Sequence, residues 1–300
     1  GGANAASGAP ANSCRKRGAA KQGANRCLPR ATPERLLVTR VLTAAALLAA
    51  FIAALLFLDA AAFALLAAAI VAVGGYEWAC LNKNSRIIAL SYGATCALLC
   101  YALAQYPWIA LWICGVAAIF WIAVAPSWLA RGFDSSPALL RFAAGIAVLV
   151  PAGFAMAVLQ REHLLMILGL VWIADTAAYL VGTAIGRRKL APSISPGKTW
   201  EGVAGGAVAC VIYAIIGAMF VPDLGGRVQG AIWVPYLAGT VLLCAASIVG
   251  DLFESALKRQ AGAKDSGVLL PGHGGVLDRI DSATATLPLA LLLMQAIGAT

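Results

Sequence analysis

Charge is scarce in this chain. Asp, Glu, Lys and Arg make up 12% of its 300 residues, about half the ~25% of an ordinary soluble domain. Hydrophobic residues fill the gap at 61%. A soluble fold of this length cannot hide so much apolar surface, so the globular, fibrous and disordered classes are excluded for the bulk of the chain. Short alternating apolar segments are also missing, and the apolar runs are long and continuous. That favours a helical bundle over a β-barrel and predicts an all-α integral membrane protein. No CxxC pair and no Cys/His cluster occurs among the eight cysteines, Cys14, Cys27, Cys80, Cys96, Cys100, Cys114, Cys210 and Cys244. Neither a disulfide framework nor a zinc site is indicated, and cysteines inside apolar runs read as small packing residues. No repeat of 20–50 residues is visible, which leaves an inverted-repeat transporter without support.

What is present divides into three parts. Residues 1–34 are rich in Gly, Ala, Asn and Ser, and carry Arg15, Lys16, Arg17, Lys21, Arg26 and Arg30 with no apolar period. They read as a disordered basic tail on the membrane surface, not as a signal or transit peptide. Nine candidate spans follow, at about 36–57, 60–78, 87–105, 108–126, 139–158, 164–184, 202–221, 232–250 and 283–299. With the N-terminus inside, 20 of the 22 basic residues fall in inside segments, and only Arg161 and Arg227 fall outside. One missed helix would invert every later loop, so this split predicts nine spans, N-terminus cytoplasmic and C-terminus out. The net charge of +9 is then a topology signal, and no nucleic-acid partner is implied.

Polarity is uneven along the spans. Residues 35–170 read as transmembrane scaffold, and residues 171–300 as a transmembrane catalytic region. Asp175-Thr176 lies near the middle of the sixth span, with Tyr179 one turn on; an intramembrane carboxylate is costly and marks a site. The inside loop from Arg187 holds Ser195, Pro196, Gly197, Lys198 and Thr199. Its Gly-Lys-Thr is not a P-loop, because Pro192 stands where the first glycine is needed and no strand precedes it. A rigid turn presenting Ser195, Gly197, Lys198 and Thr199 at a helix N-terminus remains, a reasonable phosphate cradle.

The eighth span runs on into Ser247, Asp251, Glu254, Ser255 and Lys258, one polar stripe if the helix continues, facing the headgroup zone. Beyond it comes Pro271-Gly272-His273-Gly274-Gly275, whose glycines mark a backbone in close approach with something. Asp278 and Asp281 follow at the lip of the ninth span. Asp278 could be a helix N-cap, but capping leaves Arg279 and Asp281 unaccounted for. Asp251, Asp278 and Asp281 are hard oxygen donors of the kind Mg²⁺ takes, and Mg²⁺ keeps waters and shares substrate phosphates. Lys198, Lys258, Arg259, Lys264 and Arg279 supply charge for an anionic substrate. Such a set at one membrane face suits metal-assisted phosphoryl or nucleotidyl transfer.

The pattern from Ser255 through Lys258-Arg259, Lys264-Asp265 and Leu270-Pro271-Gly272-His273-Gly274-Gly275-Val276-Leu277-Asp278-Arg279-Ile280-Asp281 resembles the signature of the phosphatidate cytidylyltransferase (CDP-diacylglycerol synthase) family. Asp175-Thr176-Ala177-Ala178-Tyr179 and the segment from Lys189 to Gly202 resemble that family's preceding motif. The likeness covers residues 170–285 well, and the front half only as a set of spans. It implies Mg²⁺-dependent transfer from CTP to phosphatidic acid in phospholipid biosynthesis, a homodimer, and a bacterial inner (cytoplasmic) membrane with the site on its cytoplasmic side. By the same likeness Asp251 and Asp278 would hold the metal, with Asp281 and Asp175 beside them. Asp175, Lys198, Lys258, Arg259, Lys264, Asp265, His273, Arg279 and Asp281 would form the catalytic set, and Ser195, Gly197, Lys198, Thr199, Gly274 and Gly275 the nucleotide contacts. A secondary transporter using Asp175 as a proton relay is the rival from another class, and a CTP-dependent polyprenol kinase the rival in chemistry.

Overall fold

The computed structural model of the chain describes residues 33–132, 137–270 and 274–298. The N-terminal tail up to residue 32 and His273 of the Gly-rich turn lie outside the described residues. The architecture is an all-α bundle with one small hairpin. Helices α1 (Pro33–Phe57), α2 (Ala60–Leu81) and α3 (Arg86–Ala104) come first. A fourth segment combines a 3-10 turn, α4 (Ala110–Ile119), a π turn (Phe120–Val124) and α5 (Ala125–Arg131). Then come α6 (Ala138–Val158), α7 (Arg161–Ile185), strands β1 (Lys189–Ala191) and β2 (Ser195–Thr199), and α8 (Trp200–Phe220). Short α9 (Pro222–Arg227), long α10 (Trp233–Ala261) and α11 (Leu277–Ala296) complete the bundle.

Helix boundaries follow local chemistry. Asp59 caps α2 by accepting from Ala62 N at 2.7 Å, Ser85 caps α3 and buried Thr199 caps α8. Such caps satisfy amide groups that the first turn leaves without partners. α10 ends at Gly262, whose φ of +73° is the left-handed C-cap conformation.

Seven helical segments among the described residues are long and apolar enough to cross a membrane. They coincide with the second to eighth expected spans. The described apolar part of α1 (Leu42–Phe57) is shorter, and α11 does not reach the same apolarity. α11 nonetheless occupies the centre, packed by α10, α6, α4, α7 and α2. Every residue from 282 to 291 is buried, including Ser282, Thr284 and Thr286. Small residues let the neighbours close in, as they do wherever membrane helices pack without a hydrophobic drive. A side chain at Gly250 of α10 would sit 2.6 Å from the Asp281 carbonyl oxygen of α11. A side chain at Gly202 of α8 would sit 2.6 Å from the Ala178 carbonyl oxygen of α7. Cys96, Cys100, Cys114, Cys210 and Cys244 are buried packing residues, whereas Cys80 is exposed.

Candidate active site

The site gathers where α10 leaves the bundle and α11 enters it. α10 continues as one helix through the whole polar stripe, as its spacing predicts. Ser247 and Glu254 of the stripe are buried, whereas Asp251, Ser255 and Lys258 keep partial exposure; Phe253 on the adjoining face is gripped by Trp78, Phe120, Trp121 and Trp128, which fixes the helix's rotation. The π turn contributes Phe120 and Trp121 to that aromatic cage; such wide turns recur near functional sites.

Two lysines organise the charge. Lys258 Nζ lies 2.5 Å from Glu254 Oε2 and 2.7 Å from Asp278 Oδ1, a nearly buried trio. Farther out, Lys198 Nζ lies 2.6 Å from Asp251 Oδ2, with side-chain exposures of 23% and 27%. Ser255 Oγ donates to Asp251 Oδ1 at 3.2 Å. The inner pair is therefore closed and the outer pair open to an incoming anion. Asp278 Oδ2 accepts from Ser266 N, Ser266 Oγ and Gly275 N at 2.9, 3.0 and 2.8 Å. Asp278 precedes the buried stretch of α11. Burial opposes its ionisation, but the Lys258 ammonium and these donors together hold its carboxyl below the ordinary carboxylate range.

The segment read as a phosphate-cradling turn is in fact the return strand of a hairpin. β2 pairs antiparallel with β1, Lys189 opposite Thr199 and Ala191 opposite Ser195. The turn itself falls at Pro192–Ile194. Thr199 is buried, and its hydroxyl oxygen accepts from Gly202 N at 3.1 Å as the cap of α8. Ser195 is half-buried and Gly197 exposed. Glu201 fastens the hairpin by accepting from Arg187 N and Arg188 N, and Arg259 Nε donates to Ile194 O at 3.4 Å, tying it to the end of α10. Those ties deliver Lys198 to Asp251.

Asp175 is exposed on α7, within electrostatic reach of Lys198 and Asp251. Asp281 in turn feels Asp251 and Asp175. Lys264, Asp265 and Arg279 are exposed around the mouth. Gly274 has φ +79°, and a side chain there would meet Asp278 Oδ2 at 2.5 Å.

One residue of the site is passed over in the sequence reading, although it lies inside the second expected span, where a carboxylate is costly. Glu77, near the end of α2, is 3% exposed. Its Oε1 accepts from Val276 N at 3.0 Å, and its Oε2 accepts from Leu277 N at 2.8 Å and Ser266 Oγ at 3.0 Å. The cost of an acid in an apolar run could have flagged it, but with no charged neighbour at helical spacing its partners appear only in the fold. The close approach that the glycines announced is thus partly to this chain's own carboxylates. A side chain at Gly275 would lie 2.5 Å from both Glu77 oxygens.

The Cytidylyltransferase family profile matches residues 38–297. That match spans nearly all the described chain. The chain belongs to the cytidylyltransferase family. Among its relatives, the phosphatidate cytidylyltransferase of Pseudomonas aeruginosa is 38% identical over 274 residues, covering 88% of this chain and 98% of that protein. The Haemophilus influenzae phosphatidate cytidylyltransferase is 35% identical over 288 residues, covering 84% and 96%. A Brucella suis phosphatidate cytidylyltransferase reaches 50% identity over 130 residues, 43% of this chain and 45% of that one. In this cytidylyltransferase, then, the charged end of α10 and the entry of α11 form the candidate centre for nucleotidyl transfer.

Proposed function

We infer that this chain transfers the cytidylyl group of CTP to phosphatidate, forming CDP-diacylglycerol and diphosphate. The observation that carries the reading is the two-tier arrangement of Lys198–Asp251 and Glu254–Lys258–Asp278 at one end of the bundle, in a member of this family. A phosphatidate oxygen forms the new bond to the α-phosphorus of CTP, and the bond from that phosphorus to the β-phosphate bridging oxygen breaks. The nucleophile is already an anion, so no strong base and no covalent enzyme intermediate are required. Positioning and charge neutralisation then carry the rate. Lys198, at the open mouth, is placed to exchange Asp251 for a substrate phosphate. Lys258, deeper and enclosed by Glu254 and Asp278, fixes the carboxylates behind the mouth. Arg259 fixes the hairpin that carries Lys198, while Lys264 and Arg279 add positive charge at the mouth.

The residues present suit a magnesium ion. No three His, Cys, Asp or Glu side chains among the described residues stand together as a ready cage, but Mg²⁺ needs only one or two carboxylates beside water and substrate phosphates. Asp251, Asp278 and Asp281 offer those oxygens, and the buried hydroxyl of Ser247, one turn before Asp251, has no hydrogen-bond partner among the described residues. When bound, Mg²⁺ would neutralise charge on the leaving diphosphate. Mg²⁺ dependence, a homodimer, nine spans and a cytoplasmic active face in the inner membrane complete the reading; the family likeness and the basic-residue split support them.

Purified protein given CTP, phosphatidate and Mg²⁺ should move label from the α-phosphate of CTP into extractable lipid, and none from the γ-phosphate. Lipid labelled from the γ-phosphate would instead indicate a kinase, and label remaining in water would restore the transporter. Single cysteines at positions 198 and 264, in a background with the native cysteines replaced, should react with an impermeant maleimide only from the cytoplasmic side. CTP with Mg²⁺ should protect both; labelling from outside would overturn the orientation.

A further inference from the structure

Glu77 is a full carboxylate enclosed in the bundle, an expensive group to place there without donors. Three donors meet it, all close in space to the start of α11. Two are Val276 N and Leu277 N, amides at the start of α11 where the helix dipole favours negative charge. The local capping position is Val276, which has no side chain able to cap. α11 therefore takes its cap from α2, 199 and 200 residues earlier in the chain. The third donor, Ser266 Oγ, lies 3.0 Å from Glu77 Oε2 and equally 3.0 Å from Asp278 Oδ2. Its one proton serves two carboxylates, and its oxygen also faces Asp278 N at 3.3 Å. Gly267 and Gly275 are confined by the same group, since a side chain at either would fall 2.5 Å from a Glu77 oxygen.

We propose that Glu77 is a positioning residue of the nucleotidyl-transfer site: it holds Ser266 and the first backbone amides of α11 so that Asp278 is kept in register with Lys258. It touches neither lysine. It acts through Ser266 and the first amides of α11, which set where the Asp278 carboxylate stands. The proposal rests on the nucleotidyl-transfer reading, and it brings a front-half helix into the centre's geometry.

The test uses the full chain in lipid nanodiscs, with Glu77→Gln, Glu77→Asp and Ser266→Ala. Gln keeps the size of the side chain but turns an NH₂ group toward an N–H or hydroxyl donor. Losing a charge-assisted hydrogen bond at a buried site lowers kcat about 10- to 150-fold. KM for CTP and phosphatidate should move little, because substrate contacts remain. Glu77→Asp, which keeps the charge, should recover part of kcat. Hydrogen exchange at the Val276 and Leu277 amides should accelerate in Glu77→Gln, while α3 stays unchanged. A folded Glu77→Gln enzyme with kcat within twofold of wild type would overturn the proposal. So would an Asp variant no better than Gln with losses that track melting temperature. If Glu77→Gln does not insert, Ser266→Ala decides: unchanged kcat there overturns it equally. Absence of turnover in the wild type would retire the nucleotidyl-transfer reading instead. The clamp is then judged by exchange alone, and unaltered Val276 and Leu277 exchange would dismiss it.

Discussion

Helices α3 and α11 have almost the same length, nineteen and twenty residues, and opposite characters. α3 is apolar and peripheral, with Ile87, Ile88, Leu90 and Leu98 exposed on the bundle surface. α11 bears Asp278, Arg279, Asp281 and a run of hydroxyls, and it is enclosed by five other helices, α2, α4, α6, α7 and α10. In water this order would be inverted. In lipid, apolarity marks what meets the solvent, and the interior is free to carry polar groups that packing and hydrogen bonds satisfy. The most polar of the long helices is central because its neighbours, not the bilayer, surround it.

Mutations can break or sharpen that contrast. The largest effect is expected at the head of α11. Asp278→Asn removes the charge that faces Lys258 at Oδ1 and three donors at Oδ2. Removing one member of a buried ion pair costs about 3–5 kcal/mol, so lipid product formation should drop at least about 100-fold while insertion persists. Near-normal turnover would take Asp278 out of the centre. Next comes the open pair: Lys198→Ala should reduce kcat/KM about 10- to 150-fold, the loss of one charge-assisted contact worth ~1.5–3 kcal/mol. A smaller effect in steady-state kinetics would show that the hairpin lysine does not meet substrate. Deeper in α11, Ala290→Leu overfills a site with no free surface and should destabilise by about 1–3 kcal/mol, read as a lower melting temperature in detergent. The smallest change is expected in α3. Leu98, 69% exposed, should tolerate Ala within about 0.5 kcal/mol with activity intact. A large loss at Leu98 would mean that this face is covered by something other than lipid.

Much of this arrangement is legible in the chain itself. Long apolar runs locate seven of the segments directly, because twenty apolar residues have few other uses. The stripe from Ser247 to Lys258 is legible as a helix, since its polar residues recur at helical spacing. Its direction is not legible, because inward and outward faces look alike when the outer solvent is lipid; only the Phe253 aromatic cage decides it. The segment from Ser195 to Thr199 reads as a turn by its Pro and Gly, yet pairs with Lys189–Ala191 because Glu201 pins the far end of the hairpin. Glu77 is the clearest omission. Local patterns report partners a few residues away, and its partners lie nearly two hundred residues on.

Helix α11 follows the other ten in the chain, so it emerges from the ribosome after them, yet its place is in their midst. Until it arrives, Asp175, Asp251 and Lys198 border an open slot, Lys258 has no Asp278 to face, and Glu77 has no amides to cap. The insertion of one late helix therefore completes the bundle's interior and the charged centre in the same event. A chain that stopped before α11 would lack Asp278, the partner that Lys258 faces, and the amides that Glu77 caps.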